Sequence, residues 1–169
     1  MLKFNWTHNI IKSKEDMQKC LTHFDISKPE YGAFDTETTG LHIIKDKPFL
    51  YQFGFIDTKD MSGHVYIIDL RQETASEYIK QWYEKAKKLK YFVGHNVKFD
   101  LHMMINYGLP YTENNITDTQ FFIRYGHDAL HVSEGGPPLS LKVYSKKYID
   151  PSAKVHEQML SKERTQQAK

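Results

Sequence analysis

An apolar run that closes on two carboxylates constrains this chain more than any other feature. Tyr31 to Thr36 reads as a strand, and Ala33-Phe34-Asp35-Thr36-Glu37-Thr38-Thr39-Gly40-Leu41 carries it into a Thr/Gly turn. Side chains alternate across a strand, so Asp35 and Glu37 share one face, about 6–7 Å apart along it. At an effective dielectric near 20 their charges repel by roughly 2–3 kcal/mol. The fold must therefore leave this strand end in solvent, keep one acid protonated, or place a cation between the two. Oxygen ligands select hard cations such as Mg²⁺ or Mn²⁺. A solvated strand end, in a chain with 21 acidic residues, is the plain alternative.

The surrounding pattern says what kind of sheet this strand joins. The N-terminal stretch starts with a helix: Ser13 caps it, Asp16 follows three residues on, and Met17, Cys20, Leu21 and Phe24 recur at helical spacing until Pro29. After the first strand, Leu50–Ile56 and His64–Leu70 read as two more, with Lys45-Asp46-Lys47-Pro48 as a turn. Thr74 and Glu77 have capping-box spacing ahead of an amphipathic helix carrying Tyr78, Ile79, Trp82, Tyr83, Ala86 and Leu89. Tyr91–Val93 is a short buried strand. Lys98–Tyr107 is a helix closed by Gly108 and Pro110, and Thr117 or Asp118 caps another that runs to Tyr125. Ser133 to Pro138 is a loop, Leu139–Tyr148 a helix, and the polar tail after Pro151 is helical. Strands as a meander followed by alternating strands and helices predict an α/β fold with a mixed sheet flanked by helices, in one domain. A chain of 169 residues with 10 Phe and 11 Tyr has the apolar mass for such a core.

A second acidic segment, Gly94-His95-Asn96-Val97-Lys98-Phe99-Asp100, sits where an apolar strand turns into a helix. Taken alone it suits ordinary capping, with Asn96 as cap and Asp100 favoured by the helix dipole. Together, the two segments resemble the first two motifs of the DEDD 3′→5′ exonuclease superfamily, most closely the proofreading domain of DNA polymerases of the polymerase I family. The first motif of that family, Phe-Asp-Thr-Glu-Thr with a short turn and Leu, matches Phe34–Leu41; the second, Asn-x-x-(Phe/Tyr)-Asp, matches Asn96–Asp100. Thr117-Asp118-Thr119-Gln120 and Leu139-Ser140-Leu141 are similar to later stretches of the family. The likeness runs from Tyr31 to Tyr148.

The resemblance implies a ribonuclease H-like fold and a two-metal site for Mg²⁺ or Mn²⁺. Asp35 would bridge both ions, Glu37 would hold the one carrying the attacking water, and Asp100 would hold the second. It also implies that Leu41 wedges against a terminal base, that Asn96 and Phe99 line the 3′-nucleotide pocket, and that Thr36 contacts substrate. The implied partners are the 3′ end of single-stranded DNA and a polymerase domain in the same parent protein. One departure stands out. After the second motif no Tyr lies four residues before an Asp, and no His five before one, so the family's third acidic motif is not found. His64/Asp69 has the His spacing but precedes the second motif, and His95/Asp100 is the second motif itself. The expectation is a domain that stops short of the third motif. Two rivals remain: a free-standing exoribonuclease, and an inactive binding module of the same fold.

Other chemistries fall away. His127-Asp128-Ala129-Leu130-His131 has Asp where a zinc protease needs Glu, with Gly135 and two prolines close behind. One cysteine, Cys20, allows neither an internal disulfide nor a thiolate cage. A net charge of +2 neither demands nor forbids a nucleic-acid partner. The first residues, to Ile11, show no basic start followed by an apolar run, so no signal peptide, no membrane span and a cytoplasmic location are expected.

Overall fold

The computed structural model describes residues 5–125 and 140–145. The chain divides into two units. Residues 2–119 form one, and residues from Gln120 onward belong to the other. The first unit holds a six-stranded mixed sheet in the order β1-β4-β3-β2-β5-β6. Its strands are β1 (Trp6–Ile11), β2 (Tyr31–Thr38), β3 (Pro48–Ile56), β4 (Gly63–Asp69), β5 (Tyr91–Gly94) and β6 (Ile116–Asp118). Its helices are α1 (Lys14–Ser27), α2 (Ala75–Ala86) and α3 (Val97–Asn106). The second unit has most of α4 (Thr119–Tyr125), then α5 (Leu141–Tyr144); the expected loop at 133–138, the His127–His131 segment and the polar tail lie outside the described residues.

β2, β3 and β4 form the expected antiparallel meander, while β5 joins β2 in parallel and β6 joins β5 in parallel. The core follows from period two. Tyr51, Phe53 and Phe55 on β3 face one side and are buried there. Trp82 of α2 stacks on Phe53 with ring centroids 4.0 Å apart and meets Phe24 of α1 edge-on at 5.6 Å. Phe34 of β2 packs on Phe92 of β5 at 4.5 Å. Such rings bury the largest apolar areas available to a chain this size. α1 begins as expected: the Ser13 hydroxyl accepts from the Asp16 amide, and the Asp16 carboxylate accepts from the Ser13 amide at 3.0 Å.

Three local expectations are corrected. The stretch before Ser13 is not a bare lead-in to a helix but strand β1, parallel to β4 at the sheet edge. Of its residues only Ile11 is buried, so the alternation that betrays a half-buried strand is missing. Thr74 and Glu77 make no capping box. Thr74 adopts helical angles (φ −84°, ψ −6°) and its side chain makes no cap hydrogen bond, because the chain enters α2 through a preceding turn rather than from an extended residue. Residues 116–118 form a short strand before α4 rather than only a helix start; three residues are too few to show a period. No helix among the described residues is long and apolar enough to cross a membrane.

Candidate active site at the end of strand β2

β2 alternates as its sequence dictates. Gly32, Phe34 and Thr36 turn into the helix-covered core, and Tyr31, Ala33 and Asp35 are exposed on the other face. Glu37 follows on the Asp35 face, half-buried, with Gln52 of β3 reaching its carboxylate at 3.5 Å. The pairing of β2 with β3 shifts register between Glu37 and Thr38, so the ladder breaks just where the carboxylates stand.

Asp100 comes to the same strand end from α3. β5 runs parallel to β2, and α3 starts almost at once after Gly94, so the first turn of α3 lies over the C-terminal end of β2. Gly94 is required for that approach: a Cβ there would lie 2.5 Å from Cγ1 of Val97. Asp100 is buried, and its Oδ1 accepts from the Thr36 amide (2.9 Å) and the Thr36 hydroxyl (2.6 Å). Among the described residues the buried polar or charged side chains are Ser27, Thr36 and Asp100. Two of those three are therefore committed to this one contact. Holding Asp100 was a role for Thr36 that the sequence did not reveal, since nothing local links positions 64 residues apart.

The electrostatics are those of crowded, uncompensated acids. Although part of Asp35 faces solvent, the protein packed around it partly desolvates its carboxyl; that desolvation, then the charges of Asp100 and Glu37, push it up to about 6. Burial also raises Asp100, opposed by the Thr36 hydrogen bonds and aided by the charge of Asp118. Among the described residues none of Asp35, Glu37 and Asp100 forms an ion pair. Nor do three acidic, His or Cys side chains there stand together closely enough to hold an ion as they are. The donor set nevertheless fits a hard cation. It is all oxygen, it carries excess negative charge, and among the described residues no Lys, Arg or His pairs with it.

The remaining sequence candidates lie on the same two segments, the turn after β2 and the start of α3. Leu41 is 85% exposed in the turn after β2. Asn96 is exposed and left-handed (φ 60°), and Phe99 is half-buried in the first turn of α3. Asn96 does occupy the cap position, but its side chain makes no cap bond. The carboxylate of Asp118 takes that role from β6, accepting from the amides of Asn96 (3.0 Å) and Val97 (3.1 Å). Beside it Thr119 bonds the His95 ring (2.8 Å) and the Gly94 carbonyl (3.1 Å).

One consequence is measurable. Thr36→Val keeps the shape of the side chain but removes the buried hydroxyl from a carboxylate. Hydrogen bonds to charged groups contribute about 1.5–3 kcal/mol. Urea unfolding of the metal-free protein is expected to show a loss of that size; an unchanged midpoint would mean that Thr36 does not hold Asp100.

Comparison with known proteins follows from this geometry. The family profile described as 3′-5′ exonuclease matches residues 8–168. No curated protein matches by sequence. Among solved structures, NrnC of Brucella melitensis is 18% identical with a TM-score of 0.52, covering 88% of this chain and 61% of its own. NrnC has also been solved with pGG and with bound Mg²⁺. Escherichia coli RNase D, an exoribonuclease involved in structured RNA processing, is 16% identical (TM-score 0.53), covering 88% of this chain and 34% of its own. Pol1 of M. smegmatis, in complex with DNA primer-template and dNTP, is 10% identical (TM-score 0.62), covering 85% of this chain and 22% of its own. The chain thus spans less than two thirds of each of these proteins, and the likeness shows their common ribonuclease H-like fold.

Proposed function

Since this chain belongs to the 3′-5′ exonuclease family, we propose that the end of β2 is its hydrolytic site, acting on the 3′ terminus of a single DNA strand in the manner of a polymerase proofreading domain. The observation that carries this reading is that the charges of Glu37 and Asp100, the latter from a separate segment, act on Asp35 at one strand end, with no ion pair to any of the three among the described residues. Asp35 and Glu37 present oxygens from the open face, and Asp100 adds a buried carboxylate held by Thr36. Mg²⁺ or Mn²⁺, two ions in the complete site, would lower the pKa of a water and stabilise charge on the attacking and leaving oxygens. Leu41, exposed in the turn that follows β2, suits contact with the flat face of a terminal base, which any base offers. Asn96 and Phe99, at the start of α3, are assigned to the 3′-nucleotide pocket.

Protonation sets a pH profile. Asp35 must be ionised to ligate, and its carboxyl is pushed up to about 6. Metal binding therefore releases a proton and weakens as pH falls through that value. The test is digestion of 3′-labelled and 5′-labelled single strands of DNA and of RNA, with Mg²⁺, Mn²⁺ or EDTA, at pH 5 to 8. The expected result is stepwise, metal-dependent shortening of DNA from the 3′ end that declines below about pH 6. Faster cleavage of RNA would move the assignment to an exoribonuclease, where a 2′-hydroxyl contact is at work. Binding of strands without cleavage would make the chain an inactive module of this fold.

A further inference from the structure

β6 contributes a residue that no motif reading assigns to the reaction. Both oxygens of Asp118 are used within the protein, Oδ1 by the Asn96 amide and Oδ2 by the Val97 amide. The partners lie 22 and 21 residues upstream, on the turn that delivers α3. The first amides of a helix have no partner in the helix itself, and a carboxylate at that end also favours the dipole. Here the cap is supplied across the sheet, because β6 pairs with β5 in the register Gly94↔Asp118. The neighbouring residue repeats the tie: Thr119 donates to the Gly94 carbonyl and meets the His95 ring. Residues 94–97 are thus clamped from one side by β6, and Asp100 follows within the same helical turn, gripped from the other side by Thr36.

We propose that Asp118 is a positioning residue for the reaction: by clamping the amides of Asn96 and Val97 it fixes the start of α3, and with it the place of the Asp100 carboxylate and of Asn96 at the site. Precise placement matters because a shift of about 1 Å at a reacting centre reduces rates on the order of 10²-fold. The proposal rests on the exonuclease reading above.

Asp118→Asn tests it, since Asn keeps the size and one acceptor oxygen but cannot accept from both amides. Amide hydrogen exchange in the whole chain is expected to quicken at Asn96 and Val97 by about tenfold or more. The single-turnover cleavage rate is expected to fall about tenfold or more, with a higher half-saturating Mn²⁺ concentration and a melting temperature within a few degrees of wild type. Asp118→Glu, which restores both acceptor oxygens on a longer arm, is expected to recover part of the rate. Faster exchange with wild-type cleavage and Mn²⁺ dependence would reduce Asp118 to a purely structural cap and overturn the proposal. So would wild-type exchange at both amides. A wild-type chain that cleaves nothing with any metal overturns the exonuclease reading and this proposal together, and that result is distinct from a variant that cleaves at full rate.

Discussion

Asp35→Asn is expected to abolish metal-dependent cleavage while making the metal-free protein more stable. The two effects share one cause. The folded Asp35 carboxyl is pushed up to about 6 by desolvation and by the charges of Asp100 and Glu37, whereas an unfolded chain releases that proton near the ordinary value of 3.8. Between those values the folded state holds a proton that the unfolded state has lost. The favourable contribution of this group is complete below about pH 4 and disappears as pH rises through about 6. At neutral pH the ionised Asp35 therefore works against folding until a cation arrives. Asn, with a similar shape and no charge, removes that burden. Thermal melting in EDTA at pH 7 is expected to rise for the variant and to lose its slope between pH 4 and 6. Added Mn²⁺ should stabilise wild type and leave the variant unmoved. If Asp35 ligates the catalytic cation as proposed, its loss removes several kcal/mol of transition-state stabilisation, on the order of 10³-fold in rate. A variant no more stable than wild type in EDTA, yet still stabilised by Mn²⁺, would contradict both halves.

Trp82→Ala carries the largest expected loss of stability. Trp82 is fully buried where three elements meet: it stacks on Phe53 of β3, faces Phe24 of α1 edge-on, and contacts Phe92 of β5 at 6.1 Å. Removing a buried Trp leaves a cavity that such a dense ring cluster cannot close, at about 3–5 kcal/mol. For a domain of this size that corresponds to a drop in melting temperature on the order of 10 °C. Site chemistry should survive in the fraction that stays folded, because Asp35, Glu37 and Asp100 are held by β2 and Thr36 rather than by Trp82. Urea unfolding and Mn²⁺ titration at low temperature check the two parts separately. A loss below about 1 kcal/mol would show that the aromatic cluster is not the centre of the core.

Much of this organisation was readable from sequence because it is written in local periods. β2 and β3 alternate, α1 and α2 repeat at helical spacing, and Ser13 with Asp16 closes a cap within one turn. The alternation also puts Asp35 and Glu37 on one face. What escaped has no local signature. β1 buries only Ile11 and is held by backbone pairing to a strand far along the chain. Asn96 looks like a cap by residue type, yet the cap is Asp118, which reaches it only because β5 and β6 lie side by side. The Asp118-Thr119 pair was visible as a family-like feature, but its partners were not. Thr36 was legible only as a substrate contact implied by the resemblance; its hold on Asp100 depends on α3 bringing that carboxylate onto it.

The most direct measurement of the central claim, that these carboxylates gather a divalent cation at the end of β2, is paramagnetic broadening of backbone amide signals on titration with Mn²⁺ at pH 7. The expected result is loss of signal first at Asp35–Thr38 and at Val97–Asp100, the two segments that meet at Thr36. Broadening that begins instead near His23, His64 and Asp57, at the paired histidines away from β2, or that appears nowhere at millimolar Mn²⁺, would contradict it.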